Sequence, residues 1–342
     1  MESELSGDRS EFRFRNLHPR LFLGTMSDRY AGWIGQIYSP EKYGGRTVRR
    51  IKKLGNRVFS EEVLPVESVA EYFLHFPVLE IDFTFYRPLL DRKGKPTPNF
   101  HVLRQYRSHM GPEDRVFLKV PQAICSRLVR RGGAYVPNES YLDAALFTEG
   151  FFNPAGEIMG DTLHGMIFEQ AYQRRDSQSS PENAADEWNR FFENIPPDPR
   201  YHLEIRTGRL LTPPLFAVLE DHAVGLVLSH WTWLPSLREQ WERSKGGIAS
   251  GDGSVVIRLV TPRAKTYEET YVAAHPFGAL VEGMLQDRTV EDTVEIVRGV
   301  VREGSQLYLF INNRAGGNAP LIAQRIAGEI GGGDFHSKSP GI

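Results

Sequence analysis

LEIDFTFY (Leu79–Tyr86) is apolar enough to be a buried strand, yet it carries Glu80 and Asp82. Four other stretches repeat the conflict: VFLKVP (Val116–Pro121), HLEIRTG (His202–Gly208), VVIRLVTP (Val255–Pro262) and LYLFINN (Leu307–Asn313). Each places Lys, Glu, Arg or Asn where a strand should be oily. A buried charge without a partner is very costly, so these groups must pair with one another or with a ligand. The pattern predicts a barrel with a polar mouth.

Working outward, eight strands are expected: Leu21–Thr25, Val78–Phe85, Val116–Val120, Gly165–Gln170, Tyr201–Arg206, Ala223–Ser229, Ser254–Val260 and Leu307–Asn312. Helical spacing lies between them. It runs through Val48, Ile51, Leu54 and Val58, through Tyr141, Leu142, Ala145 and Leu146, and through Val290, Val294, Val297 and Val301. Ser-Ser-Pro-Glu at Ser179–Glu182 opens a further helix, with Trp188, Phe191 and Phe192 on its inner face. Strands alternating with helices predict an α/β fold, a (β/α)8 TIM barrel in one domain with loop insertions. A doubly wound sheet would carry a Gly-rich turn after its first strand, and LFLGTMSDRYAGWIG (Leu21–Gly35) has no GxGxxG.

The 342 residues are 40% hydrophobic and 25% charged, with a net charge of -2. That composition supports a folded core and argues against wholesale electrostatic binding to nucleic acid. Cys125 is the single cysteine, which excludes an internal disulfide and a multi-cysteine metal site. A reducing compartment, the cytoplasm, is therefore expected. No run is long and apolar enough to cross a bilayer, and MESELSGDRSEFRFR (Met1–Arg15) lacks a signal-peptide core. Residues 1–18 and 331–342 read as loose tails flanking a barrel over 19–330.

At the strand ends the chain resembles domain-of-unknown-function family 72, the YecE-like proteins. The family's opening GTSGWxYxxWxGxFYP is matched at Gly24, Thr25, Tyr30, Trp33, Gly35 and Tyr38, with Ser27 and Asp28 for its Gly and Trp. Its VEINxTFY is matched at Glu80, Ile81, Thr84, Phe85 and Tyr86, with Asp82 for Asn. Lys119 and Pro121 match its KxP, Glu204 and Arg206 its E-x-R, and Arg258 the Arg of its YVRLHG, where Val260 replaces His. Asn312, Asn313, Gly317, Ala319 and Pro320 match its closing FNNHxxGxAPxNA, with Arg314 for His. The resemblance runs from about residue 21 to residue 325 and implies a divergent member with a TIM barrel. It implies no particular activity. Sugar isomerases and a DNA-repair endonuclease share the fold, which is analogy at the level of fold alone.

Side chains two apart on a strand share a face, so Glu80, Asp82 and Thr84 are expected to line up, as are Glu204 and Arg206. Lys119, Arg258 and Asn312 join them at the C-terminal rim, where such barrels keep their sites. Glu169 is a weaker member. Glu80 and Glu204 are the acid and base candidates, or else fix the barrel's register as partners of Lys119 and Arg206. Lys119 is the third catalytic candidate, as an amine, with neighbouring carboxylates opposing that use. No cofactor is expected. A divalent metal is not favoured, because the carboxylates are matched by Arg and Lys and only His202 and His230 lie near strand ends.

Thr25, Asp82, Arg206, Arg258, Asn312, Asn313 and Gly317 are the expected ligand-binding residues. Asn318 suits an N-cap, and Gly316 and Gly317 permit close backbone approach. A phosphate or carboxylate is therefore expected at that helix start, with Arg258 and Arg263 beside it. The run RTVRRIKKLGNR (Arg46–Arg57) reads as a helix with Val48, Ile51 and Leu54 buried and a basic outer face, a candidate nucleic-acid contact. In HWTWLP (His230–Pro235), Trp231 and Trp233 are expected to pack inward rather than stack on a sugar or base. Buried Cys125 is expected to be inert. The leading expectation is an enzyme or binder for a small anionic, phosphorylated or sugar-like ligand. The alternatives are a nucleic-acid-binding or phosphodiester-acting barrel, and a non-catalytic scaffold.

Overall fold

A computed structural model describes residues 12–55, 57–132, 134–173 and 179–332. The strands are β1 (Leu21–Met26), β2 (Val48–Leu54), β3 (Arg57–Val63), β4 (Val78–Ile81), β5 (Arg115–Lys119), β6 (Leu128–Arg131), β7 (Ala134–Pro137), β8 (Leu163–Gln170), β9 (Tyr201–Ile205), β10 (Gly225–His230), β11 (Ser254–Leu259) and β12 (Gln306–Ile311). Eight of them close a barrel in the order β1-β12-β11-β10-β9-β8-β5-β4. Every pair in it is parallel, and helices lie between the strands, which makes this a (β/α)8 TIM barrel.

Alternation along each strand divides two cores. Leu21, Leu23, Leu79, Leu118, Leu203, Ile257 and Leu309 point outward into a large cluster shared with the helices. Phe22, Val78, Phe117, Ile167, Val227, Val256, Tyr308 and Phe310 point inward and fill the barrel. Phe117 lies 4.6 Å from Tyr308 and 5.0 Å from Phe310 between ring centroids. Gly165 makes room for it: a Cβ there would sit 2.0 Å from the Phe117 ring. The ring-filled floor leaves the polar inward residues stacked at the C-terminal end.

The helices follow their caps and apolar faces. Ser180 accepts from Asn183 N at the start of the Pro181–Glu193 helix, which buries Trp188, Phe191 and Phe192. The Asp287–Arg302 helix buries Val290, Val294, Val297 and Val301.

Three expectations are corrected. Arg46–Arg57 is not helical. β2 and β3 form an antiparallel hairpin, with Val48, Ile51 and Val58 exposed. Arg50 stands opposite Glu61 and Arg49 opposite Glu62 in register, Glu61 pairs with Lys52 at 3.2 Å, and Arg49 donates to the Ser60 hydroxyl at 2.5 Å, so the basic run lies on a strand of a hairpin rather than on a helix face. β6 and β7 form a second hairpin. β4 stops at Ile81 and Phe83–Tyr86 turns as a 3-10 helix, so Thr84 leaves the strand face and its hydroxyl donates to the Lys119 carbonyl, 2.7 Å. Residues 12–18 are not a loose tail: Phe12 and Phe14 are buried, and Arg15 pairs with Asp114 at 2.8 Å. Residues 1–11 and 333–342 of the expected tails lie outside the described residues.

Candidate functional site at the barrel mouth

Alternation brings Glu80, Lys119, Glu169, Glu204 and Arg258 to one inward layer at the strand ends, and Arg206 follows directly after β9. Arg258 grips Glu80 with two parallel bonds, Nε to Oε2 at 2.8 Å and Nη2 to Oε1 at 2.6 Å. Its Nη1 donates to Glu204 and, at 3.3 Å, to Glu169. Arg206 Nη2 donates to Glu169 at 2.9 Å and to Glu204 at 3.1 Å. Lys119 Nζ donates to Glu169 Oε2 at 2.6 Å and lies 3.9 Å from the Phe85 ring centre. Three cations and three carboxylates thus form one closed lattice.

Burial raises the Glu80 carboxyl above its ordinary range, with Arg258 pulling it back. Glu169 is also desolvated, but Arg206, Lys119 and Arg258 outweigh burial and hold it well below the ordinary range. Glu80 and Glu204 are therefore engaged by guanidinium groups rather than open for proton transfer, and Lys119 is engaged by Glu169.

Above the lattice lies a cavity of about 320 Å³, walled by Tyr30, Lys52, Asp82, Arg258, Tyr267 and Arg314 among others. Counting Glu204 beneath it, five acids (Glu61, Glu80, Asp82, Glu169, Glu204) meet five bases (Lys52, Lys119, Arg206, Arg258, Arg314). Lys52 takes Glu61 at 3.2 Å. Among the described residues, Asp82 and Arg314 are the two of this set without an ion pair inside 4 Å. The Asp82 side chain has no hydrogen-bond partner among them, and burial lifts its carboxyl against the pull of Lys119, Lys52, Arg314 and Arg258. Arg314 Nε donates to Asn312 Oδ1 at 3.1 Å, and its guanidinium lies 4.1 Å from the Tyr267 ring centre. Burial lowers its pKa.

The β2–β3 hairpin forms one wall. Phe59 packs edge-on to Tyr271 at 4.9 Å, and the Tyr271 hydroxyl donates to Glu61. A second cavity of about 870 Å³ lies between the hairpin and the loop after β1, and it shares Tyr30, Lys52, Glu61, Asp82 and Tyr86 with the mouth. Asp28 lines it. Tyr106 donates to Asp28 Oδ1 at 2.8 Å, Oδ2 has no partner, and burial pushes the carboxyl up to about 6.

Three expected site residues lie elsewhere. Thr25 points outward from β1 and shares its hydroxyl with Tyr72 and the Ser27 carbonyl. Asn313 Oδ1 accepts from Ala319 N at 2.7 Å and from Trp33 Nε1 at 3.1 Å. Gly317 has φ +110°, and a Cβ there would meet the Ala279 carbonyl at 2.3 Å. Asn318 accepts from Leu321 N, so amide side chains cap the helix start where an anion was expected. Arg258 is inside the barrel rather than beside that turn, and Arg263 is exposed. Trp233 does not pack inward as expected; it is exposed.

His202 and His230 are buried, and desolvation drives each down to about 4. His202 belongs to the barrel floor beside Phe117, and His230 faces Thr289. Among the described residues no group of three or more His, Cys, Asp and Glu side chains is arranged to hold a metal ion. Burial pushes the Cys125 thiol up. Among the described residues, no helix is long and apolar enough to cross a membrane.

A family model described as a protein of unknown function, DUF72, matches residues 45–340. The chain belongs to the DUF72 family. A DUF72 protein from Thermotoga maritima has a similar structure (TM-score 0.56, 14% identity, 91% of this chain and 99% of that one). So does one from Enterococcus faecalis (TM-score 0.54, 12% identity, 94% of this chain and 99% of that one). At such identities the likeness is one of fold. No curated protein matches the chain. Of the positions that carry the DUF72 resemblance, Glu80, Lys119, Glu204, Arg206, Arg258 and Asn312 meet at the mouth. Sequence reasoning missed Lys52 and Glu61, hidden by the mistaken helix. It also passed over Arg314, although an Arg where the DUF72 pattern has His was visible.

Proposed function

We propose that the barrel mouth binds a small hydroxylated, sugar-like molecule bearing a phosphate or carboxylate group. The observation that carries this is the pairing pattern: the lattice neutralises itself and leaves Asp82 and Arg314 facing one cavity. Arg314 anchors the anion, since a guanidinium presents a fork of donors matched to phosphate and carboxylate. Asp82 accepts a ligand hydroxyl. As a carboxyl with a raised pKa and no partner, it is also the group suited to take up or return a proton. Glu80, Glu204, Lys119, Arg206 and Arg258 position rather than react: they set a rigid, desolvated floor with a fixed field.

The nucleic-acid alternative loses the helix it was read from: the basic residues lie on β2, where Lys52 turns to the mouth and pairs with Glu61 of β3. A purely structural lattice leaves Asp82 and Arg314 unexplained.

Thermal-shift titration with hexose 6-phosphates and hexuronic acids, against neutral hexoses, tests the reading. Saturating acidic ligand should stabilise by roughly 3 kcal/mol at a hundredfold excess over Kd. Arg314→Met should lose the response, and equal responses to acidic and neutral sugars would overturn it.

A further inference from the structure

Beyond the anion-binding mouth, a run of aromatic rings leaves the cavity on the β9–β10 side. Arg206 lies 4.8 Å from the Trp231 ring centre inside the mouth. Tyr172 follows at 6.0 Å from Trp231, and Trp233 at 6.2 Å from Tyr172. Tyr172 is 44% exposed and Trp233 53% exposed. Large rings left in water side by side forgo considerable burial energy, and at the edge of a polar cavity they mark a stacking platform. No hydrogen bond or ion pair of the lattice involves Tyr172 or Trp233.

Resting on the sugar-like reading of the mouth, we infer that Tyr172, Trp231 and Trp233 form a second subsite for a sugar ring covalently joined to the one held by Asp82 and Arg314. A pyranose has one face of C–H groups that packs on an aromatic ring and an edge of hydroxyls that needs polar partners. The shelf supplies the first, and Arg206 and Glu169 at its inner end supply the second. The ligand is then an acidic disaccharide or longer, rather than a single ring.

The test is calorimetry with tryptophan fluorescence, using glucuronic and galacturonic acid against the matching uronic disaccharides and tetrasaccharides, with AMP and GMP as base-bearing comparisons. Trp33 and Trp188 are fully buried, so quenching reports on the other indoles. The inference expects disaccharides to bind at least tenfold tighter than monosaccharides. Trp233→Ala and Tyr172→Ala should erase that gain while leaving monosaccharide affinity unchanged; both side chains are exposed, and an unaltered urea transition shows that the variants fold. Equal affinity for one and two rings, with monosaccharide binding lost in Arg314→Met, overturns the shelf and leaves the mouth reading standing. No acidic sugar binding in the wild type overturns both. Quenching by nucleotides and not by sugars, dependent on Trp233, assigns the shelf to a base and overturns the inference.

Discussion

Arg258 and Glu80 are 178 residues apart and meet through a fork of two bonds, 2.8 and 2.6 Å long, buried at the centre of the barrel mouth. One guanidinium from β11 thereby ties β4, β8 and β9 together. Removing it leaves Glu80 and Glu204 buried without their main counter-charge. Arg258→Met is expected to lose about 3–5 kcal/mol in urea unfolding, and Arg258→Lys to lose much of it, because an ammonium cannot reproduce the fork. A lysine variant as stable as the wild type would contradict the arrangement.

Asp82 and Arg314 should behave in the opposite way. Asp82→Asn removes a desolvated charge that has no ion-pair partner, so stability is expected to stay level or rise. Arg314→Met should cost about 1–2 kcal/mol, well short of Arg258→Met, since the hydrogen bond to Asn312 and the guanidinium's contact with the Tyr267 ring are lost. Chemical denaturation of both variants beside Arg258→Met checks the contrast. Ligand response should vanish in these two while their unfolding curves move far less than that of Arg258→Met.

Asp28 and Glu169 give pH effects of opposite sign. The folded Asp28 carboxyl sits at about 6, above its ordinary 3.8, so its contribution is fully present below about pH 4 and is lost as pH rises through 6. The shift corresponds to about 3 kcal/mol. Asp28→Asn should therefore gain on the wild type between pH 4 and 7 in thermal melts. Glu169 is held well below 4.5, so its contribution is present above that value and lost as pH falls through the lower folded pKa. The deficit of Glu169→Gln should shrink in acid.

The hairpin is held to the Tyr267–Ala274 helix by the Phe59–Tyr271 contact and the Tyr271–Glu61 hydrogen bond. Phe59→Ala should speed amide hydrogen exchange across Val48–Val63 and leave the barrel strands protected. Exchange across Val48–Val63 unchanged from the wild type would show that the ring contact is not what docks the hairpin.

The barrel was legible because the stretches of β4, β5, β9, β11 and β12 each set a polar residue at or just past the C-terminal end of an apolar run, and period-two alternation sends Glu80, Lys119, Glu204 and Arg258 to one face. The hairpin was not, because Val48, Ile51, Leu54 and Val58 happen to fall at helical intervals. The Gly55-Asn56 pair between two seven-residue runs was the overlooked turn signal, and Gly132-Gly133 is its counterpart between β6 and β7. The expected anion site at Gly317 failed for a different reason. Asn313 and Asn318 already satisfy the helix start, a fact of tertiary contact that a cap signal in the sequence leaves open. Alternation also could not reveal that Glu80 would be locked by Arg258 while Asp82, two residues on, would not.

A crystal structure of the protein soaked with a hexose 6-phosphate or a hexuronic acid tests the central claim most directly. The account predicts the anionic group within hydrogen-bond distance of Arg314, a hydroxyl on Asp82, and the Arg258–Glu80 fork intact beneath. A ligand that displaces that fork, or one seated away from Asp82 and Arg314, would contradict it.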